Sequence, residues 1–132
     1  MHYFTYFTYF TSIIVAFEAA FTKAQLDCVG SIGCASTNVT IRDVQAVINA
    51  GVNDNRQYGD NIDIACVDHT CAFFQNTGIT NNTGSLVKSL VQRLVDRGCI
   101  KCGSQFVNQL DSSQGELTVN VVANPACRDA VC

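Results

Sequence analysis

Apolar residues recur every three or four positions between Thr83 and Arg97, which is the period of an amphipathic helix. The recurring positions are Leu86, Val87, Leu90, Val91, Leu94 and Val95. Thr83 or Ser85 can cap the N-terminus of such a helix, and Gly98 stands just past its last turn. The pattern therefore predicts a helix with a single apolar stripe over this segment.

A second segment follows the same rhythm. Its apolar positions are Ile41, Val44, Val47 and Ile48. Asn38 or Thr40 precedes the run and can act as its N-cap, while Gly51 stands where a C-terminal cap is expected. These residues predict another amphipathic helix.

Other segments carry the pattern of strands. Residues 71–75 (CAFFQ) are short and aromatic, and alternating apolar positions occur at Ile62, Ile64 and Cys66 and again at Leu117, Val119 and Val121. Because neighbouring residues of a strand point to opposite faces, either Phe73 or Phe74 must face away from the main core. Helices with one apolar stripe need a shared surface, so the sequence predicts an α+β fold: a two-layer α/β sandwich with the helices on a mostly antiparallel sheet.

The first 24 residues differ from the rest of the chain, because they hold five of its eight Phe and three of its four Tyr. Small residues end this apolar segment at Ala24, as signal peptidase requires before a cut. Glu18 and the interspersed threonines disfavour a transmembrane anchor. We predict a secretory signal peptide at residues 1–24 and one secreted, extracellular domain at residues 25–132.

All eight cysteines follow the predicted cut: Cys28, Cys34, Cys66, Cys71, Cys99, Cys102, Cys127 and Cys132. The cysteines of an exported chain become oxidised, so we predict four disulfides. More than a hundred pairings of eight cysteines fit the sequence alone. The Cys99-x-x-Cys102 motif follows a helix-ending glycine instead of opening a helix, which favours structural half-cystines over a redox or zinc pair. Asn38 and Asn81 begin possible N-glycosylation sites.

The charge and the polar residues exclude several classes of function. The formal net charge is −3 and stays so without the leader, because Glu18 and Lys23 leave together, which disfavours a nucleic-acid partner. His69 is the only histidine beyond the leader, and it is accompanied by neither a Gly-x-Ser-x-Gly elbow nor a second histidine. We therefore predict no catalytic residue, metal site or cofactor.

Four motifs together carry a family resemblance. They are residues 28–34 (CVGSIGC), 41–43 (IRD), 98–104 (GCIKCGS) and 115–120 (GELTVN). In order and spacing they resemble the fungal killer toxin family typified by the smut-fungus virus toxin called killer protein four. The resemblance covers most of residues 27–127.

The resemblance implies a secreted sandwich of two antiparallel helices on an antiparallel sheet, and a non-enzymatic toxin that inhibits calcium uptake in fungal cells. It also implies three disulfides, Cys28–Cys99, Cys34–Cys102 and Cys66–Cys127, and leaves Cys71 to pair with Cys132. The equal spacing of the last four cysteines keeps Cys66–Cys132 with Cys71–Cys127 open as an alternative. The type toxin's extra cysteine pair on the helices aligns with Val47 and Val87, which predicts an apolar contact there.

Two functions are consistent with these features. The first is a killer-toxin-like protein that antagonises other fungi or host cells by binding a cell-surface protein or ion channel, such as a calcium channel. The alternative is a secreted effector or cell-wall interaction protein, favoured because the type toxin is basic and has a lysine where this acidic chain has Ile64. We predict target contacts at Arg56, His69 and Lys101, and a monomer without stable membrane insertion.

Overall fold

The computed structural model describes residues 28–79 and 81–132, so the predicted signal peptide at residues 1–24 lies outside the described residues. A 3-10 helix (Ile32–Ala35) precedes the helices α1 (Ile41–Gly51) and α2 (Gly84–Asp96). The strands are β1 (Gln57–Tyr58), β2 (Ala65–Val67), β3 (Thr70–Gln75), β4 (Asn82–Thr83), β5 (Gly103–Asn108), β6 (Asp111–Val121) and β7 (Ala130–Val131).

Five of these strands form an antiparallel sheet in the order β5-β6-β3-β2-β7, and β1 pairs with β4 separately. The two helices pack on one face of the larger sheet, where their stripes meet Phe74, Leu117 and Val119 in the main core. Ile100 follows α2, and its carbonyl accepts a hydrogen bond from the N–H of Ile41, the first residue of α1. The end of α2 therefore lies beside the start of α1, and the two helices run antiparallel. The predicted α+β sandwich is confirmed.

Local side chains determine where the helices begin. The Thr40 hydroxyl accepts a hydrogen bond from the N–H of Asp43, whose carboxylate accepts from the N–H of Thr40, and this reciprocal pair caps α1. The Thr83 hydroxyl caps α2 through the N–H of Leu86. Both helices therefore begin at N-caps that were among the predicted candidates.

The end of α1 differs from the prediction, because Gly51 is its last helical residue and Val52 is the C-cap. A Cβ atom at Gly51 would lie 2.9 Å from a methyl group of Val131. The glycine is explained by this close approach to β7 and not by a cap. At the end of α2, Gly98 does adopt the left-handed conformation, with φ of +86°.

The predicted strand from Ile62 to Cys66 is wrong in its first half, because β2 begins only at Ala65. The backbone turns at Asn61, which has φ of +59°, and Ile62 is largely exposed as a result. Strands β5 and β7 have no alternating apolar signal of their own. They form because β6 and β2 provide them with backbone partners.

The two adjacent phenylalanines face opposite sides of the sheet, as predicted. Phe74 is fully buried in the main core under the helices. Phe73 lies on the other face in a second cluster with Cys66 and Cys71, covered by the C-terminal segment through Cys127 and Cys132. The two valines that align with the type toxin's extra cysteine pair both belong to the main core, since Val87 is buried in it and Val47 packs against it.

Asp60 anchors the loop after β3. Its carboxylate accepts hydrogen bonds from the Thr77 hydroxyl at 2.6 Å, the Thr77 N–H at 3.2 Å and the Gly78 N–H at 2.9 Å. Partial desolvation raises the pKa of Asp60, but these hydrogen bonds outweigh it and leave the pKa below its ordinary value. The ionised form is therefore the one that stabilises the loop.

We expect Asp60→Asn to lower the free energy of unfolding by about 1–2 kcal/mol at pH 7, because an amide group cannot accept all three hydrogen bonds. The difference from the wild type should be fully present above about pH 4 and should vanish as the pH falls through the lowered folded-state pKa. Denaturant unfolding of both proteins across this range measures it. The control, Asp96→Asn on the exposed side of α2, should change stability by less than about 0.5 kcal/mol, and a pH-independent loss in Asp60→Asn would contradict the assignment.

Candidate target-binding surface

Two disulfides join the beginning of the described chain to the segment after α2. Cys28 pairs with Cys99, with Cα atoms 5.1 Å apart, and Cys34 pairs with Cys102, with Cα atoms 6.1 Å apart. Both pairs are those that the family resemblance implied. They fix the N-terminal segment and the Cys-x-x-Cys segment against each other at one end of the molecule.

The other four cysteines form Cys66–Cys71 and Cys127–Cys132, and not the cross-linked pairs that the resemblance implied or the alternative left open. The register of β2 and β3 places Cys66 directly opposite Cys71, with Cα atoms 4.1 Å apart. Near the C-terminus, a turn through Asp129, which has φ of +51°, brings the chain back on itself. The predicted pairing is wrong, because each of these four cysteines pairs with the cysteine five positions away, across a turn of the chain.

Three aliphatic side chains protrude beside the first two disulfides. Val29 is 77% exposed, Ile32 97% and Ile100 68%, and each lies within two residues of a half-cystine. Together with Lys101, we call them the disulfide-end patch. Exposed aliphatic residues on a rigid part of the surface are typical of contact surfaces.

The backbone under this patch is firmly held. A Cβ atom at Gly30 would lie 2.5 Å from the Sγ atom of Cys34 and 2.7 Å from the Cβ atom of Cys102, so the chain packs directly on the disulfide. Ser31 donates from its N–H to the Asn120 side chain at 2.8 Å and from its hydroxyl to the Val121 carbonyl at 2.9 Å. The protruding side chains are thus presented on a fixed frame.

Lys101 supplies a positive charge to the patch, and its ammonium group donates to the Ala35 carbonyl at 3.4 Å. An open pocket of about 310 Å³ adjoins Ile100. Its lining consists of Thr40, Arg42, Val95, Gly98, Cys99 and Ile100. The exposed Arg42 therefore adds a second cation beside the aliphatic residues.

His69 lies in the β2–β3 turn with both ring nitrogens engaged. Its Nδ1 atom is 3.1 Å from the Val122 carbonyl, and its Nε2 atom is 3.0 Å from a guanidinium nitrogen of Arg128. A carbonyl only accepts and a guanidinium only donates, so Nδ1 carries the proton and Nε2 is the acceptor. This geometry gives His69 a structural role in holding the C-terminal segment.

Arg56 lies away from the patch. Its guanidinium carbon stands 4.9 Å from the centre of the Tyr58 ring, in a cation–π contact. The residue follows α1, whose other end contacts Ile100, so about 16 Å of helix separates the two regions. Of the three predicted contact residues, only Lys101 belongs to the disulfide-end patch.

Sequence reasoning missed Val29, Ile32 and Ile100 as surface residues. They stand singly among Gly, Ser, Cys and Lys residues and outside both helical stripes. That lack of periodicity was the available signal, because an aliphatic residue outside any stripe has no core face to join.

The described residues contain no helix that is both long and apolar enough to cross a membrane. Two groups of potential metal ligands occur within them, one of Cys66, Cys127 and Cys132 and one of Asp63, Cys66 and Cys71. Every sulfur atom in these groups belongs to a disulfide and offers no thiolate to an ion. Both sequons begin at exposed residues, Asn38 and Asn81.

Comparison with known proteins identifies the family of this chain. No curated protein matches the chain. A family model does match it, over residues 11–123, and this model describes the Kp4 killer toxins. The matched range spans both helices, β1 to β6 and the two disulfides under the patch. The chain therefore belongs to the Kp4 killer toxin family.

Proposed function

We propose that the protein is secreted and acts as a non-enzymatic killer toxin at the surface of competing fungi or host cells. The observation that carries this proposal is membership of the Kp4 family over residues 11–123. The disulfides agree with it, because all eight cysteines are paired and such bonds persist outside the reducing cytosol.

The disulfide-end patch is the proposed contact with the target. Its aliphatic side chains protrude from a frame held by two disulfides, so binding orders few residues and loses little conformational entropy. Lys101 and Arg42 beside it suit an acidic target surface such as the mouth of a calcium channel. The net charge of −3 opposes long-range attraction, so the short-range contacts of the patch must supply the affinity.

The direct test applies the purified, oxidised domain of residues 25–132 to fungal and plant cells and records growth and calcium influx. Growth inhibition that added calcium relieves is the expected result. Growth inhibition that added calcium does not relieve would support a toxic function but would exclude blockade of calcium uptake as its cause. Inactivity on a broad panel of cells would contradict toxicity.

A patch variant locates the contact. We expect Val29→Ser, Ile32→Ser and Ile100→Ser combined to weaken killing or cell binding at least about tenfold, equivalent to 1.4 kcal/mol, because apolar contact area is lost. Leu110→Ser is the matched control, since Leu110 is also 97% exposed but lies in the β5–β6 turn. Circular dichroism and melting curves check that both variants fold, and equal potency of the two would exclude the patch.

A second function is favoured by one observation. Ile64 is fully buried in the main core, at the position where the type toxin is expected to have a lysine. A buried aliphatic residue cannot present a charge to a channel. An effector or cell-wall interaction protein on the same scaffold is supported if the purified domain leaves cells unharmed but binds a wall polymer or a host surface protein specifically.

A further inference from the structure

The two short-range disulfides touch each other. The Sγ atoms of Cys66 and Cys132, which belong to different disulfides, are 3.7 Å apart. The Sγ atom of Cys127 lies within 4.8 Å of both. Cys66 and Cys71 are fully buried, whereas Cys127 and Cys132 are partly exposed.

We propose that these four cysteines form a thiol-exchange site that takes a low-molecular-weight thiol and exchanges the two local disulfides for two cross-linked ones. The crossed pairs are Cys66–Cys132 and Cys71–Cys127, and they tie the C-terminal segment covalently to the β2–β3 hairpin. The partly exposed Cys127–Cys132 pair is the point of entry, since Cys66 and Cys71 are fully buried and a thiolate must reach the sulfur atom that it attacks.

The exchange consists of three displacements. The external thiolate attacks Sγ of Cys127, forming a mixed disulfide and releasing Cys132 as a thiolate. Cys132 then attacks Sγ of Cys66, its neighbour at 3.7 Å, and the Cys66–Cys71 bond breaks to leave Cys71 as a thiolate. Finally Cys71 attacks Sγ of Cys127 and releases the external thiolate. The number of disulfides is unchanged, so the thiol acts as a catalyst and no oxidant is consumed.

The surrounding hydrogen bonds hold the sulfur atoms together during this exchange. The Cys132 N–H donates to the Ile64 carbonyl at 2.8 Å, and the Ala126 N–H donates to the Asp63 carboxylate at 2.9 Å. The Asp68 N–H donates to the Asp129 carboxylate at 3.0 Å. None of these bonds involves a sulfur atom, so the C-terminal segment stays docked while the disulfides change partners.

The test treats the folded wild-type domain with a trace of reduced glutathione and then blocks free thiols with N-ethylmaleimide. Trypsin after Arg128 and cleavage before Asp68 open both short disulfide loops, so mass spectrometry distinguishes local from crossed pairs. Whichever pairing is isolated first, we expect the thiol to convert part of it into the other, while Cys28–Cys99 and Cys34–Cys102 stay intact. A single pairing that the thiol leaves unchanged would overturn the proposal.

A variant tests the central displacement without added thiol. Cys71→Ser frees Cys66 beside the Cys127–Cys132 disulfide, so attack on Cys132 should transfer the free thiol to Cys127. We expect iodoacetamide to label Cys127 in this variant, with a loss of label at Cys66. Label confined to Cys66 in the folded variant would contradict the proposed attack on Cys132. If the variant does not fold, the wild-type experiment with glutathione decides whether the exchange occurs. Neither experiment depends on toxicity, so the proposed function stands or fails separately.

Discussion

Replacing Cys28 and Cys99 together by alanine is expected to lower the free energy of unfolding by about 4 kcal/mol, which is a large part of the stability of a domain this size. The two residues are 71 positions apart, so the disulfide excludes many of the open conformations that the unfolded chain could adopt. Urea denaturation under non-reducing conditions measures the loss. Cys34→Ala with Cys102→Ala should behave similarly, because those residues are 68 positions apart.

The matched control is Cys127→Ala with Cys132→Ala, whose residues are only five positions apart. Closing so short a loop restricts the unfolded chain less, and we expect a loss of about 2 kcal/mol. Equal losses in the two double variants would show that contacts of the sulfur atoms in the folded state matter more than loop closure. The wild type, with all four disulfides intact, gives the reference curve.

Phe74→Ala is expected to destabilise the protein by about 3–5 kcal/mol, because it removes an aromatic side chain from a closed part of the core. Phe74 is fully buried in β3, pairs with Leu117 of β6 and lies beneath the helices. The neighbouring side chains belong to regular elements and cannot collapse fully into the space. Thermal and denaturant unfolding measure the effect.

Phe106→Ala makes the same chemical change at the edge strand β5, where the ring is 36% exposed. We expect a loss of less than about 1.5 kcal/mol there, since a partly exposed ring gives up less buried area and leaves no closed cavity. A loss at Phe106 as large as that at Phe74 would mean that β5 contributes to stability as much as the central strand.

The helices could be predicted from the sequence because their signals are local. The stripe from Leu86 to Val95 and the capping residues Thr40 and Thr83 act within one or two helical turns, and the structure places both helices where these signals indicate. Gly51 is a residue whose role local signals do not explain. Its role depends on Val131, which is eighty positions away in the chain but adjacent in space.

The candidate site could be predicted only in part. Lys101 belongs to the disulfide-end patch, but His69 holds the C-terminal segment and Arg56 stacks on Tyr58 beyond the far end of α1. Ile32 gave no functional signal as a sequence position. Its exposure results from Cys34–Cys102 and from the contacts of Ser31 with β6, which the order of residues does not reveal.

The sequence by itself determined the class of fold, the two helices and the presence of four disulfides, because periodicity, caps and composition act locally or on the chain as a whole. Only the tertiary structure decided that Phe74 and not Phe73 enters the main core, that Cys66 pairs with Cys71, and that β5 forms at all. Each of these depends on strand register and on contacts between distant segments. A shift of one residue in register would exchange the two faces of β3, and nothing local in the sequence fixes that choice.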